Sequence, residues 1–194
     1  MSISLVAGLG NPGSEYAATR HNLGWIVIDA FAQKLGLAWK KQPQFNAEVA
    51  RWDRLGLPTC YFAKPLSFMN DSGTAVGALS RFYKVPVTSV AAIYDDLTID
   101  LGLVKVSVSG SAGGHNGVAS LLEHLGDGFV RYRLGIGPKL PPQMDLKDFV
   151  LGKFTPDQLT LVTQHRPRYL SGVELLLSRG TEAAMNQLNR RDPK

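Results

Sequence analysis

Cysteine is nearly absent from this sequence, and its absence excludes two kinds of protein. Cys60 is the only cysteine among 194 residues. A single thiol forms no disulfide within the chain and cannot build a thiolate metal site. Cys60 stands in a strand-like apolar run, so we predict a buried structural side chain rather than a nucleophile.

Long apolar stretches are also missing. No segment approaches the roughly 18 uncharged apolar residues that cross a bilayer, and the first four residues carry neither a basic nor an apolar leader. We therefore expect a cytoplasmic protein that makes no contact with a membrane. Hydrophobic residues make up 44% and charged residues 19% of the chain, and we find no repeat or linker, so we predict one domain over residues 1–194.

Two widespread catalytic signatures do not occur either. The sequence has no G-x-S-x-G turn for a serine nucleophile. None of its four histidines stands in an H-E-x-x-H or comparable metal-ligand spacing. We therefore expect no bound metal and no cofactor, and a hydrolytic reaction would have to use water directly.

The charge of the chain is modestly positive. The formal net charge is +5, and the basic residues are dispersed along the chain instead of forming a tail. This pattern permits a polyanionic partner and predicts a limited number of phosphate contacts.

Apolar runs of strand length alternate with segments of helical period. The predicted strands cover residues 3–7, 45–52, 58–63, 89–94, 103–108 and 132–136, and the predicted helices cover residues 23–35, 76–83, 118–125, 156–180 and 181–188. This alternation predicts an α/β fold, a single domain with a mixed central β-sheet and helices on both of its faces.

A proline-rich segment interrupts the alternation. Residues 138–147 contain three prolines and predict a flexible lid loop that covers a cleft. A helical C-terminal part, residues 156–189, follows, and Gly180 divides it into two helices. Residues 190–194 are predicted to fray.

The first candidate functional motif is the glycine-rich loop GLGNPG at residues 8–13, directly after the first predicted strand. The glycines permit close approach of the backbone to a ligand, and Pro12 restricts the direction in which Asn11 is presented. His21 then stands just before a helical pattern. The positive end of a helix favours an uncharged imidazole, which can accept a proton at neutral pH.

The same glycines satisfy G-x-G-x-x-G, so a dinucleotide-binding protein is an alternative. That site requires a helix that begins at the glycines and an acidic residue after a second strand, roughly twenty residues on. Residues 14–20 intervene here, and Asp29 lies inside the helical pattern. These mismatches make nucleotide binding the weaker interpretation.

Further polar residues stand in or next to loops that follow later strands, namely Asn70, Asp95 and Asn116. Ligands of α/β sheets lie beyond the carboxyl ends of strands, so these groups can meet Asn11 and His21 in one cleft. The three asparagines can bind a peptide backbone, position water or stabilise an oxyanion. Each of them can also simply cap its helix.

A histidine paired with a carboxylate can take a proton from water as the water attacks a carbonyl group. Asp95 suits the role of the carboxylate because it ends an apolar strand. Strand alternation turns its neighbour Asp96 the opposite way.

Together these segments closely resemble bacterial-type peptidyl-tRNA hydrolase. The resemblance covers nearly the whole chain in order, including DFVL at residues 148–151, and its motifs are specific as a set. They are GLGNPG at 8–13, Tyr16, TRHN at 19–22, FMNDSG at 68–73, DDL at 95–97, GGHNG at 113–117 and RLGIG at 133–137.

The resemblance implies a monomeric, metal-independent esterase. Its substrate is peptidyl-tRNA, in which it cleaves the bond between the peptide and the terminal ribose and so recycles the tRNA. By matching motifs, the resemblance makes His21 the general base and Asp95 its orienting partner.

The resemblance also assigns the groups that surround the base. Asn11, Asn70 and Asn116 are expected to bind the peptide backbone and water, with Met69 lining the cleft and Tyr16 near the scissile bond. Amide side chains that recognise a peptide N–H distinguish peptidyl-tRNA from aminoacyl-tRNA, whose free amine is charged.

A basic pair that clamps a tRNA phosphate is the last feature that the resemblance implies. Arg133 matches one member, whereas the second position falls at Ser107. Lys105 lies two residues earlier on the same strand face and can take its place. The alternative is that Lys105 and Arg133 only form a solvated strand surface.

A non-catalytic RNA-binding relative is the second function to consider, since some plant organelle splicing factors have adopted this fold. Binding alone needs no general base. The presence of His21, Asp95 and all three asparagines therefore favours the enzyme.

Overall fold

The computed structural model describes residues 2–190, and a seven-stranded sheet forms its centre. The strands are β1 (Leu5–Gly8), β2 (Lys40–Gln42), β3 (Ala47–Trp52), β4 (Cys60–Pro65), β5 (Val90–Asp100), β6 (Val104–Ser107) and β7 (Val130–Gly137). Their order across the sheet is β2-β3-β4-β1-β5-β7-β6. The central strands β4, β1, β5 and β7 are parallel, and antiparallel strands extend the sheet on both sides, so the sheet is mixed.

Helices cover both faces of the sheet, which confirms the predicted α/β class. Those in the described residues are α1 (Leu23–Lys34), α2 (Ser72–Phe82), α3 (Asn116–Leu125), α4 (Leu146–Leu151) and α5 (Pro156–Leu188). Phe31 of α1 and Tyr169 of α5 share one apolar core with Tyr132 of β7. Leu79 of α2 and Leu121 of α3 belong to the core on the other face. No helix within residues 2–190 combines the length and the apolarity needed to cross a membrane.

The structure differs from the sequence prediction at three elements. Strand β2 was not predicted, because it has only three polar residues and exists by pairing with β3 at the sheet edge. Strand β5 continues six residues beyond the predicted end at residue 94, because its ladder with β7 carries it through Asp96 and resumes at Asp100. Helix α4 begins at Leu146, so the last two residues of the predicted lid loop, 138–147, are helical.

Two local predictions agree with the structure. Gly180 interrupts α5 with a non-helical backbone, φ 83° and ψ 177°. Cys60 is fully buried, and burial raises the pKa of its thiol to about 12, which suits a structural side chain. Of the segment 190–194, which was predicted to fray, only Arg190 lies within the described residues.

The start of α1 approaches the sheet unusually closely, and Gly24 makes this possible. A Cβ atom added at Gly24 would lie 2.3 Å from the carbonyl oxygen of Ile93 and 2.6 Å from that of Leu9, both of which are backbone atoms. His21 belongs to the 3-10 turn that directly precedes α1. The close packing at Gly24 therefore brings His21 to the end of β5.

We expect Gly24→Ala to destabilise the protein. The added methyl group meets rigid backbone, and overpacking of this kind costs about 1–3 kcal/mol of unfolding free energy. Because α1 must move, His21 should also be displaced from the end of β5. Urea denaturation monitored by circular dichroism measures the change in stability.

Gly77→Ala in α2 is the matched control. The nearest atoms to an added Cβ are the flexible tip of Arg81 at 3.2 Å and atoms of His124 at 3.4 Å. The gain in helix propensity, up to about 1 kcal/mol, should make this substitution neutral or stabilising. Equal stability of the two variants would contradict the packing argument.

Candidate active site

His21 and Asp95 meet at the carboxyl end of β5, as the sequence predicts. The His21 Nδ1 atom lies 3.0 Å from each carboxylate oxygen of Asp95. Both residues are buried, with 7% of His21 and 2% of Asp95 exposed. An ionised carboxylate only accepts hydrogen bonds, so Nδ1 carries the hydrogen and Nε2 keeps its lone pair. Within residues 2–190 no side chain or backbone group forms a hydrogen bond to Nε2.

The carboxyl group of Asp95 is held in its charged form. Burial disfavours the charge, but the imidazoles of His115 and His21, which face the carboxyl group and hydrogen-bond to it, outweigh that effect. The pKa of Asp95 therefore lies well below its ordinary value. The pair is a carboxylate that supports an imidazole, which is the arrangement of a general base.

Hydrogen bonds fix the backbone and the side-chain oxygen of Asn11 and leave its side-chain NH₂ group available. Its backbone N–H donates to Oδ1 of Asn22 at 2.9 Å, and Nδ2 of Asn22 donates to the Asn11 carbonyl oxygen at 2.9 Å. The Asn11 Oδ1 atom accepts the backbone N–H of Met69 at 2.7 Å. The Asn11 side chain consequently has its NH₂ group left to donate to a ligand in the cleft.

This network also counts against a dinucleotide site. The segment after the glycines continues through turns into the 3-10 turn Arg20–Asn22, so no helix begins at the glycines. The Asn11 N–H, which would be needed for a pyrophosphate in that type of site, is occupied by Asn22.

Asn70 and Asn116 line the cleft with exposed side chains. The helix-capping alternative does not hold for either of them. The cap of α3 is the side chain of His115, which accepts N–H groups from Gly117 and Val118. Asn70 belongs to the 3-10 turn Met69–Asp71, before the N-cap position of α2. Neither amide side chain has a hydrogen-bond partner within residues 2–190, so both can bind a ligand.

A single cleft of about 810 Å³ brings most of the predicted residues together. Those that line it are Asn11, Tyr16, His21, Met69, Asn70, Asp95, Asn116 and Arg133. Tyr16 packs edge-on against Phe68, with 6.3 Å between the ring centroids, and Phe68 is 58% exposed. Leu146 and Val150 of α4 form part of the wall. Lys105 is the predicted site residue that does not line this cleft.

The two predicted phosphate-binding residues are nevertheless neighbours. Lys105 of β6 pairs with Arg133 of β7 in the antiparallel ladder. The Arg133 Nε atom donates to Asp96 Oδ2 at 2.8 Å, and Nη2 donates to Thr98 Oγ1 at 3.3 Å. Asp96 lines the same cleft as His21 but is bonded to Arg133, whereas Asp95 is bonded to His21. Ser107, two residues from Lys105, does line the cleft.

Buried arginines attach the neighbouring loops to the site. Arg131 is 2% exposed and donates to the carbonyl oxygens of Ser111, at 2.8 Å, and Gly110, in the loop before α3. Arg20 is 7% exposed and donates to the Phe149 carbonyl oxygen at 3.1 Å, at the end of α4. These bonds fix the two segments that flank the cleft.

Sequence reasoning did not assign a role to His115. Its Nε2 atom lies 3.1 Å from Asp95 Oδ1, the oxygen that is also 3.0 Å from Nδ1 of His21. The ligand atoms of His21, Asp95 and His115 lie within 4.8 Å of one another, as in a metal site. Sequence spacing could not reveal this group, since its members come from three distant segments. A metal ion there would have to displace the N–H groups that donate to Asp95.

Comparison with known proteins agrees with this geometry. The peptidyl-tRNA hydrolase family model matches residues 5–194. The peptidyl-tRNA hydrolase of Anaeromyxobacter sp. (strain K) is 42% identical over 190 residues, which cover 97% of each chain. That of Symbiobacterium thermophilum is 42% identical over 188 residues, 95% of this chain and 98% of the relative.

Solved structures show the same relationship. The crystal structure of peptidyl-tRNA hydrolase from Acinetobacter baumannii superposes with a TM-score of 0.90 at 35% identity, over 99% of this chain and 97% of that chain. With the match of the family model and the identities of the curated relatives, this likeness shows that the chain belongs to the peptidyl-tRNA hydrolase family.

Proposed function

We propose that His21 is the general base of this enzyme and that Asp95 orients it. The family defines the reaction as hydrolysis of peptidyl-tRNA at the ester bond between the peptide and the tRNA. The observation that carries the assignment is the buried pair itself, with Nδ1 of His21 3.0 Å from the Asp95 carboxylate and Nε2 left to accept a proton.

The reaction then follows from the proton that Nε2 can take. A water molecule in the cleft gives a proton to Nε2 of His21 as its oxygen attacks the ester carbonyl carbon. Asp95 stabilises the imidazolium that forms, without itself taking the proton. When the tetrahedral intermediate collapses, the bond to the ribose oxygen breaks, and that oxygen receives the proton from His21. The products are a free peptide carboxyl group and a tRNA with a free ribose hydroxyl group.

The amide groups of the cleft are proposed to bind the peptide end of the substrate. Asn11 offers its NH₂ group, since its oxygen is held by Met69. Asn70 and Asn116 can each donate and accept, so they can hold the peptide backbone, position the water or stabilise the oxyanion. Met69 is buried in the wall of the cleft. Tyr16, which packs beside Phe68, is proposed to lie near the scissile bond.

Lys105 and Arg133 are proposed to bind a phosphate of the tRNA. They are neighbours across β6 and β7. Arg133 lines the cleft, and its Nε and Nη2 atoms donate to Asp96 and Thr98. The resemblance expects the second basic side chain at position 107, where this chain has an uncharged serine. A phosphate bound between Lys105 and Arg133 would receive that second positive charge from Lys105 instead.

We further propose that one chain is sufficient for activity. Each side chain given a role above comes from this one chain, which supports a monomer. We also propose that the enzyme acts in the cytoplasm, where its tRNA substrate is used. The segment 138–147 is proposed to act as a lid, since its last residues begin α4 in the cleft wall. A non-catalytic RNA-binding function is not favoured, because RNA binding alone does not require the buried Asp95 carboxylate to hydrogen-bond to His21.

Replacement of His21 by alanine tests the base directly. We expect kcat to fall about 10²–10⁴-fold, the usual contribution of a general base, with little change in tRNA affinity. The assay is release of the acyl group from N-acetyl-aminoacyl-tRNA. His124→Ala in α3 is the control, since His124 hydrogen-bonds to Thr74 and to the Ser120 carbonyl oxygen and does not line the cleft. Equal rates of wild type and His21→Ala would reject the assignment.

Removal of metal ions should leave the rate unchanged. The three side chains that could hold an ion, His21, Asp95 and His115, are already hydrogen-bonded to one another, because both imidazoles donate to the Asp95 carboxylate. Enzyme dialysed against EDTA and assayed in metal-free buffer is compared with undialysed enzyme. A loss of activity that zinc restores would show that the His21–Asp95–His115 group works as a metal centre.

Lys105→Ala and Arg133→Ala should each weaken tRNA binding and reduce its dependence on salt. Loss of one phosphate contact lowers the slope of log affinity against log salt by about 0.7–0.9. Binding of deacylated tRNA is titrated at several salt concentrations. Lys34→Ala is the control, because Lys34 lies at the far end of α1 in an exposed pair with Glu174. An unchanged slope in Lys105→Ala would exclude Lys105 from the phosphate site.

A further inference from the structure

His115 is a second imidazole that contacts the carboxylate of the proposed catalytic pair. Its Nε2 atom lies 3.1 Å from Asp95 Oδ1, and its side chain is 10% exposed. The centroids of the His115 and His21 rings are 4.8 Å apart. The ring also packs edge-on against Tyr94, with 5.0 Å between the centroids. Two imidazoles with different surroundings therefore hydrogen-bond to Asp95.

The remaining nitrogen of His115 faces the start of α3. Its Nδ1 atom accepts the backbone N–H of Gly117 at 3.1 Å and that of Val118 at 3.2 Å. A backbone N–H can only donate, so Nδ1 must present its lone pair. In a neutral imidazole the hydrogen is then on Nε2, which donates it to Asp95. The helix N-terminus thus determines which nitrogen of His115 carries the hydrogen.

We propose that His115 is a positioning residue for the catalytic pair and that the N-terminus of α3 fixes its tautomer. The proposal rests on the proposed role of His21 as the base. His115 gives Asp95 a second N–H donor, which holds the plane of the carboxylate while Nδ1 of His21 bonds to it. His115 cannot itself act as the base, because its lone pair is used by the helix.

This second donor also limits how strongly Asp95 holds a proton on His21. A hydrogen bond from His115 takes up part of the negative charge of the carboxylate. Without it, the carboxylate would stabilise the protonated, inactive form of His21 more strongly. The acid side of the pH profile of kcat/KM should then move to higher pH.

The other groups near the carboxylate leave this prediction unchanged. Asp96, the next residue of β5, is turned toward Arg133 and Thr98. Burial raises the pKa of Tyr94 to about 12, so its hydroxyl group stays neutral over the range of the assay. The titratable groups that face Asp95 in the described part of the chain are therefore His21 and His115.

His115→Asn separates the cap from the positioning role. Asparagine is among the best N-cap residues and keeps an acceptor for the α3 N–H groups, but it is too short to reach Asp95. We expect the thermal midpoint to stay close to that of the wild type. We expect kcat to fall about tenfold, as for loss of an orienting partner, with KM little changed and the acid limb shifted to higher pH.

His115→Gln is the reciprocal variant. It keeps an N–H donor at the position of Nε2 and loses the acceptor for the helix. We expect it to recover most of kcat and the wild-type acid limb, with a lower thermal midpoint. His124→Asn, in the last turn of the same helix, serves as the matched control and should leave kcat and the pH profile unchanged.

The outcomes distinguish this proposal from the one on which it rests. A wild-type pH profile and kcat in His115→Asn, together with an inactive His21→Ala, would overturn the role of His115 alone. Full activity of His21→Ala would instead overturn the proposed base. The ¹⁵N chemical shifts of the His115 ring in the wild-type enzyme give a test that does not depend on a variant. A hydrogen on Nδ1 at the pH of the assay would also overturn the proposal.

Discussion

A single buried negative charge organises this molecule. The Asp95 carboxylate is 2% exposed, and burial of an unpaired charge would cost far more than the fold could tolerate. The fold supplies two N–H donors for it, one from the 3-10 turn before α1 and one from the residue that caps α3. The carboxylate is fully paired only when both loops reach the end of β5, and the contacts that pair the buried charge also set the geometry of the proposed proton transfer.

The loops that supply these donors are held by polar side chains that bond to backbone atoms. Asn22 holds the backbone of Asn11 at both its N–H and its carbonyl oxygen, and Asn11 in turn holds the N–H of Met69. Arg131 binds two carbonyl groups of the loop before α3, and Arg20 binds the end of α4. Because each contact satisfies backbone groups, it restricts the main chain directly. The backbone segments that carry the cleft side chains are therefore held in place before a substrate arrives.

Much of this arrangement could be predicted from the sequence, for an identifiable reason. Apolar periodicity located the strands, and the rule that ligands lie beyond the carboxyl ends of strands placed His21 near Asp95. The features that were not predicted depend on tertiary contacts. Strand β2 exists only through its pairing with β3, and β5 is extended by its ladder with β7. Similarly, a cap position indicates what one nitrogen of His115 does, but not that the other nitrogen reaches a residue twenty positions earlier.

Because side chains alternate along a strand, β5 can contribute both to the proposed base and to the proposed phosphate site. Asp95 and Asp96 are adjacent in β5, so their side chains leave the strand in opposite directions. Asp95 turns to the imidazoles, whereas Asp96 binds Nε of Arg133, the proposed phosphate ligand. The two carboxylates are on adjacent residues of β5, both of which pair with β7. The proposed phosphate site therefore has a fixed position relative to the base, and a tRNA phosphate bound by Arg133 would bring the ester to the same place in every binding event.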